Sequence, residues 1–239
     1  MRALFISDLH LSEGRPDANE RFFAFMEDEA RTADALYVLG DLFEYWIGDD
    51  DLDDPFNAVI AGFFRRLSAG GTKLYFMHGN RDFLVGERFA AATRCTLLPD
   101  PTLAELDGAK TLLMHGDTLC TDDLDYQNWR RTARSREWQG EFLARSPDER
   151  RAAVHGLREK SKEVIRAKPA GIMDVNEAAV CEAFRRHGVT RLIHGHTHRP
   201  GRHRHDVDGR QCERWVLPDW YGRGGYIGVE KTAVRLVQW

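Results

Sequence analysis

Polar clusters recur along the 239 residues in a fixed order: Asp8-x-His10, Gly40-Asp41, Gly79-Asn80-Arg81-Asp82, His115-Gly116-Asp117 and His194-Gly195-His196-Thr197-His198. Each is weak evidence alone, since an aspartate often closes a turn and a single histidine is more often a satisfied structural residue than a ligand. The set is specific. Carboxylates, imidazoles and one amide oxygen are donors for Mn²⁺, Fe²⁺ or Zn²⁺, and no soft thiolate lies among them. Two such cations roughly 3.5–4 Å apart clamp both sides of a displacement at phosphorus, and a water they share ionises near neutral pH. A carboxylate shared by both metals fits the central strand, which makes Asp41 the natural bridge. No nucleophilic Ser or Cys motif competes, and there is no glycine-rich phosphate loop. The chemistry indicated is hydrolysis of a phosphate ester or anhydride.

Every cluster closes a short apolar run: Ala3–Ile6, Ala35–Leu39, Lys73–Met77, Thr111–Met114 and Arg191–Ile193. Runs this short, rich in β-formers and ended by Gly, predict buried strands of an α/β protein. Asn19 to Arg31 places Phe22, Phe23, Met26 and Ala30 on one helical stripe, and Pro55 opens a second helix through Phe63, Phe64 and Leu67 to Gly70-Gly71. Alternating strand and helix predicts a parallel sheet whose strand ends share one edge, where α/β proteins bind ligands. Asp107-Gly108 and Asp208-Gly209 read as hairpin turns that add antiparallel strands later in the chain. Residues 117–189 break the rhythm. Ser146-Pro147-Asp148-Glu149 starts a helix reaching about Ala167, and Asp174 caps another, with Glu177 three residues on and Gly188 as its stop. The expectation is a single domain, 1–239, with a helical cap or lid inserted over 117–189.

Net charge is −4, yet Arg130–Lys168 holds 12 Lys/Arg against 6 Asp/Glu, a local +6 that leaves −10 for the rest. That basic stretch is either a solvated helix surface or a face for an anionic partner, a phosphate-bearing substrate or an acidic membrane. No apolar run approaches the ~20 residues that span a bilayer, and Asp8 comes too early for a signal peptide, so the expected location is the cytoplasm. Cys95, Cys120, Cys181 and Cys212 form no CxxC pair and read as reduced, mostly buried thiols. Nothing calls for nucleic acid or an obligate protein partner.

Over nearly its whole length the chain resembles the calcineurin-like metallophosphoesterases. The resemblance implies a four-layer α/β sandwich, two mixed β-sheets between helices. It implies that Asp8, His10, Asp41 and His198 hold one metal and that Asp41, Asn80, His115 and His196 hold the other. That superfamily usually reads Gly-Asn-His-Asp/Glu, with the His a catalytic acid, where this chain has Arg81. In this feature the chain is similar to the UDP-2,3-diacylglucosamine hydrolase family of lipid A biosynthesis, as it is in Gly40–Asp50, His115–Asp123, Ile172–Asn176 and His194–Pro200.

The second likeness implies a reaction and a place for it. UDP-2,3-diacylglucosamine is split to UMP and 2,3-diacylglucosamine 1-phosphate by metal-activated water attacking the α-phosphorus, with two divalent ions, usually Mn²⁺. The enzyme works peripherally, on the anionic cytoplasmic face of a Gram-negative inner membrane. Arg81, Asn80 and His196 form the catalytic set. Substrate-binding positions fall on Asn80, Arg81, Asp123, Ser161, Ile165, Lys168 and His196. Arg81 cannot donate a proton, but its fork can hold phosphate oxygens; the plainer alternative is an ion pair with Asp82 or Glu44. Ser161, Ile165 and Lys168 share a helix face, though Ile165 stands where the family has a polar residue. Leu217-Pro218-Asp219-Trp220 departs from the family's Leu-Gly-Asp-Trp outside the ligand blocks. Val154, Leu157 and Val164, with Trp138, Phe142 and Leu143, are either ordinary core or a groove for two acyl chains. A soluble-substrate phosphodiesterase on the same fold would need no basic helical insert, and a non-catalytic scaffold would have lost ligand positions that are all filled here.

Overall fold

The computed structural model describes residues 1–167 and 172–239, and side chains for 1–158 and 172–239. The first half alternates β1 (Arg2–Ile6), α1 (Pro16–Asp28), β2 (Ala35–Val38), α2 (Pro55–Ala69), β3 (Lys73–Met77), α3 (Glu87–Thr93) and β4 (Thr96–Leu98). These strands are parallel to one another. A hairpin, β5 (Thr102–Leu106) and β6 (Ala109–Leu113), then turns at Asp107-Gly108, both residues at positive φ as a two-residue turn demands. Helices α4 (Leu124–Ala133), α5 (Arg136–Leu143), α6 (Pro147–Ala167) and α7 (Glu177–His187) follow. The chain ends in β7 (Arg191–His194), β8 (Gly201–Val207), β9 (Arg210–Val216), β10 (Gly225–Glu230) and β11 (Ala233–Gln238).

The strands form two mixed sheets, ordered β11-β10-β1-β2-β3-β4 and β5-β6-β7-β9-β8. Side chains alternate across each strand, and that alternation builds the layers. On the first sheet Leu4, Ile6, Leu36, Val38 and Phe76 face α1–α3, packing with Phe22, Phe64 and Phe89. The opposite residues Ala3, Phe5, Tyr37 and Met77 meet Leu113, Ile193 and Trp215 of the second sheet. That sheet's outer face, Leu112, Leu192, Val207 and Cys212, is covered by Val180 and Phe184 of α7. The result is the four-layer sandwich, helix, sheet, sheet, helix.

Three expectations change. The ligand-bearing strands do not share one parallel edge: β1, β2 and β3 belong to one sheet and β6 and β7 to the other. Inner strands of both sheets, β1 and β2 in one and β7 in the other, are buried on both faces, so an apolar run does not reveal which sheet it joins. Helix α1 begins at Pro16 rather than Asn19, with the proline in its first turn. Helix α7 is capped by Asn176, whose side chain accepts from Ala179 N–H at 3.1 Å, and not by Asp174. Asp174 instead accepts from Val175 N–H and pairs with Arg199.

Four arginines of the basic stretch turn their charge inward. Arg130 Nε donates to buried Asp117 at 2.7 Å. Arg151 pairs with Asp51, and Arg158 with Glu44. Arg150 is 1% exposed; it donates to Ile47 O at 2.6 Å and binds Asp50 through both Nη atoms. Helices α4 and α6 are thus fastened to the acidic Asp49–Asp54 segment and to the strand-end loops by charge complementarity. The capping box predicted for α6 is present, Ser146 N–H donating to Glu149 and Glu149 N–H to Ser146 Oγ. All four cysteines are free. Among the described residues no helix is long and apolar enough to cross a membrane.

Arg150→Ala leaves Ile47 O without its buried donor and unhooks α6 from the body. A lost hydrogen bond to a charged group is worth about 1.5–3 kcal/mol, with Asp50 half-exposed and able to recover water. At roughly 2–4 °C per kcal/mol for a chain of this size, thermal unfolding should fall by several degrees. Proteolysis should cut first within α5–α6; an unchanged melting curve and cleavage pattern would show that this anchor does not hold the helix.

Candidate metal centre

The strand-end turns bring all seven expected ligand residues to the seam between the two sheets. Asp8 Oδ1 lies 3.4 Å from His198 Nε2. Asp8, His10 and His198 form one group and Asp8, Asp41 and His115 another, the ligand atoms in each lying within 4.8 Å of one another. The Asp41 carboxylate faces both ways: Oδ2 is 3.8 Å from His10 Nε2, and Oδ1 is 3.9 Å from His115 Nε2. Asn80 Oδ1 lies 3.1 Å from His115 Nε2 and 2.9 Å from His196 Nδ1.

Five of these residues occupy the left-handed backbone region: Asp8 at φ 57°, His10 at 52°, Asp41 at 55°, His196 at 68° and His198 at 54°. Such a conformation costs a non-glycine residue about 1–3 kcal/mol and persists only where neighbours impose it. The neighbours are specific. Asp8 N–H donates to Gly40 O, His10 N–H to Asp41 O, and Trp220 N–H to Asp8 O, at 3.0–3.1 Å. His196 N–H and Arg81 N–H donate to the carboxylates of Asp8 and Asp41, each at 2.8 Å. Two glycines permit this crowding. A Cβ at Gly79 would stand 2.1 Å from Asp41 Oδ1, and one at Gly195 would stand 2.1 Å from Ser7 Oγ.

The electrostatics suit a cation. Asp8, His10, Asp41 and His115 are at most 2% exposed. Among the described residues Asp8 Oδ1 and both ring nitrogens of His10 have no hydrogen-bond partner, a state a buried polar atom rarely tolerates. Burial, with Asp82 and Asp8 nearby, pushes the Asp41 carboxyl up to about 7. Burial holds His10 well below its ordinary range despite Asp8 beside it, and burial with His115 nearby lowers His196 to about 4. For His115 burial is outweighed by Asp41, Asp117 and Asp8, which lift it to about 9. Neutral imidazoles at His10 and His196, and an imidazole at His115 held protonated by the carboxylates around it, mark a site that draws positive charge. Oxygen and nitrogen donors without thiolate fit Mn²⁺, Fe²⁺ or Zn²⁺.

Several residues here were not singled out by sequence. Asp82 accepts from the N–H groups of Gly79, Leu42 and Asp41 at 2.8, 2.7 and 3.2 Å, locking two ligand turns together. Ser7 Oγ donates to Asp8 Oδ2 at 2.7 Å. Glu44 stands 3.7 Å from His10 Nδ1. Tyr126 donates to Asp117 at 2.6 Å and lies beside the His196 ring. The Tyr221 ring sits 4.9 Å from His10 and 5.5 Å from His198. Asp82, Glu44 and Asp117 stood inside the quoted blocks; Tyr126 and Tyr221 carried no signal of their own. Among the described residues Arg81 makes no ion pair with Asp82 or Glu44, and its buried Nε has no partner. Asp123 caps α4, accepting from Tyr126 N–H at 3.1 Å. The side chains of Ser161 and Ile165, and Lys168 altogether, lie outside the described residues.

A family model described as calcineurin-like phosphoesterase matches residues 1–200, and the chain belongs to that family. Within it the similarity narrows. The chain is 52% identical over 227 residues to the UDP-2,3-diacylglucosamine hydrolase of Aromatoleum aromaticum, covering 95% of this chain and 92% of the relative. It is 52% identical over 234 residues to that of Chromohalobacter salexigens, covering 98% and 95%. It is 47% identical over 237 residues to that of Pseudomonas paraeruginosa, covering 98% of each.

Metal loading should stabilise the fold strongly, because the centre concentrates unrelieved buried charge. A ligand at 100 times its Kd adds about 2.7 kcal/mol, so Mn²⁺ should raise the melting temperature of chelator-stripped protein by roughly 5–10 °C. Mg²⁺, which prefers oxygen and water to imidazole, should do less. Asp41→Ala, losing the carboxylate that faces both groups, should retain at most one metal per chain by elemental analysis. Two retained metals in that variant would place the bridge elsewhere.

Proposed function

We propose that this chain hydrolyses the diphosphate of UDP-2,3-diacylglucosamine to UMP and 2,3-diacylglucosamine 1-phosphate, water attacking the α-phosphorus. The observation that carries the reading is the convergence of seven oxygen and nitrogen donors at one seam. The substrate is taken from the name of relatives that match nearly end to end. In this reading Asp8, His10, Asp41 and His198 hold one divalent ion, and Asp41, Asn80, His115 and His196 hold the other, Mn²⁺ being the family's usual metal. Bound there, the ions supply Lewis acidity to the phosphoryl oxygens and acidify a water.

The chain's own groups do the rest. Arg81 is permanently charged, so it donates hydrogen bonds and no proton. With no carboxylate to neutralise it among the described residues, its fork is available to the phosphoryl oxygens as their charge grows. A phosphate leaving group needs protonation less than an alkoxide does, which suits an arginine where other phosphoesterases carry an acid. Asn80 and His196, both only partly buried, can present an amide and a ring to the same oxygens.

Residues 117–189 serve in this reading as a cap that selects the lipid. Asp123, Ser161 and Lys168 contact the polar part of the substrate, Ile165 offering packing alone. The acyl chains are assigned to the aromatic face of the cap. Trp138 stacks on Phe142 at 4.9 Å, and Leu143 and Leu157 are 43% and 39% exposed. Val154 on α6 is partly buried, and the Val164 side chain is outside the described residues. Arg145 over the Phe142 ring adds positive charge to this face, as peripheral docking on the anionic cytoplasmic face of the inner membrane would require.

The direct test is UMP release from UDP-2,3-diacylglucosamine with Mn²⁺; a protein inert toward it but active on simple diesters would reject the assignment. Arg81→Ala should lower kcat by about 10²–10³, the cost of losing one transition-state donor, with metal content unchanged. A variant with normal kcat and raised KM would make Arg81 a binding residue only.

Lys168→Ala and Ser161→Ala should weaken hydrolysis of the acylated UDP-sugar, mainly through KM, and spare a small chromogenic phosphodiester. The ratio of kcat/KM for the two substrates decides it. An unchanged ratio in both variants would remove the cap from specificity.

A further inference from the structure

The motif His194-Gly195-His196-Thr197-His198 carries three histidines, and the ligand reading uses only the last two. His194, the final residue of β7, is fully buried. Its Nδ1–H donates to Gly195 O at 2.8 Å, which leaves Nε2 as an acceptor. Arg214 Nη1 fills that role, donating at 3.2 Å. The same guanidinium donates through Nε to His205 Nε2 at 3.4 Å, and His205 Nδ1–H donates to Glu177 Oε1 at 2.6 Å. One arginine, 6% exposed, therefore joins two imidazoles whose acceptor nitrogens both point at it.

Sheet order explains the alignment. Arg214 on β9 pairs in register with Leu192 of β7 and with His203 of β8. His194 and His205 lie two residues further along, hence on the same sheet face. That face is covered by α7, which delivers Glu177.

His205, Glu177 and Cys181 also bring donor atoms within 4.8 Å of one another. The protons argue against a cation there. His205 Nε2 accepts from Arg214, so Nδ1, the atom facing Glu177, carries its hydrogen. The neighbouring guanidinium, donating to His205 Nε2 at 3.4 Å, would also repel a metal.

The inner end of the chain meets the metal centre from behind. Gly195 O accepts both from His194 and from Thr197 N–H at 2.9 Å, and Gly195 N–H donates to His115 O at 2.9 Å. A Cβ at Gly116 would stand 2.6 Å from His194 Nδ1, so this ring also backs the turn after His115. His196 and His198 adopt left-handed conformations in the turn that follows Gly195.

We infer that His194 and Arg214 are positioning residues for the metal centre. The chain Glu177–His205–Arg214–His194, exposed at Glu177 and buried from His205 inward, holds the His196/His198 turn in ligating form and ties it to the start of α7. The inference rests on the ligand roles proposed for His115, His196 and His198.

The experiment measures Mn²⁺ affinity on chelator-stripped protein, following free Mn²⁺ by electron paramagnetic resonance, with folding checked by circular dichroism. Residues that orient metal ligands typically change affinity 10–100-fold when lost. Arg214→Met should bind Mn²⁺ weaker by that factor, and Arg214→Lys, a point charge without the fork, should recover only part. If Arg214→Met does not fold, Arg214→Lys decides. A merely structural arginine would lower the melting temperature and leave Mn²⁺ affinity of the folded protein at the wild-type value. That result in either folded variant overturns the inference. His196→Ala is the control on the ligand assignment. Wild-type Mn²⁺ binding in that control would refute the ligand reading itself, and the positioning role with it.

Discussion

Buried charge of one sign, gathered where two sheets meet, is the constraint to which the rest of this structure answers. Asp8 and Asp41 are essentially inaccessible and stand within hydrogen-bonding reach of one another's neighbours. Water cannot solvate them, and isolated carboxylates in such surroundings would take up protons. The surroundings offer backbone N–H groups, which orient the carboxylates, and imidazoles of which only His115 is drawn firmly toward its charged form by them. The orphaned atoms of Asp8 and His10 are the remainder of that imbalance. A divalent cation would take the lone pairs of the unpaired Asp8 oxygen and of one His10 ring nitrogen, leaving the hydrogen on the other for Glu44, 3.7 Å from Nδ1.

The same demand shapes the backbone. Helical or extended conformations would carry successive side chains to different faces, whereas a left-handed residue at the end of a strand reverses the chain and turns its side chain back over the sheet edge. Asp8, His10, Asp41, His196 and His198 all adopt it. Strain on this scale needs support from behind, and it is supplied by unlike groups: the Asp82 carboxylate under two turns, the Trp220 amide under another, and glycines where no Cβ fits. The parts that hold the site are therefore as specific in type as the ligands.

Much of this was legible from residue order. Strand–cluster pairs located all seven residues that converge at the seam, because a strand that ends in a polar turn must deliver that turn to a sheet edge. The hairpin turns were readable from Asp-Gly pairs, since few residues tolerate positive φ at two successive positions. Sheet membership was not readable. Leu112 and Leu36 look alike in a sequence, yet they lie in different sheets, and only long-range pairing distinguishes them. Nor was the use of the basic stretch. A run of arginines is equally consistent with a solvated helix, a bound anion or an internal acidic partner. Arg150 chose the last through a burial that no local pattern announces. The cap of α7 failed for a related reason. Asp174 and Asn176 are both competent caps, and the choice was made by Arg199, which engages Asp174, and by Asp122, which receives the Asn176 amide.

Arg81 shows how a change of one residue can be read against the chemistry proposed for it. Its backbone N–H is bound to Asp41, so the turn is anchored whatever the side chain does. Among the described residues the two candidate acids are occupied elsewhere: Asp82 is spent on backbone amides, and Glu44 is engaged by Arg158. A histidine at this position could pass a proton to a poor leaving group, but it would lose its charge near neutral pH. An arginine keeps its charge at any physiological pH and offers two parallel donors in place of one. That exchange is unfavourable when the leaving group is an alkoxide and favourable when it is a phosphate, whose oxygens can themselves spread the departing charge. The residue at 81 and the kind of bond cleaved are thus two sides of one electrostatic choice, and the diphosphate of a nucleotide sugar is the bond that an arginine here would suit.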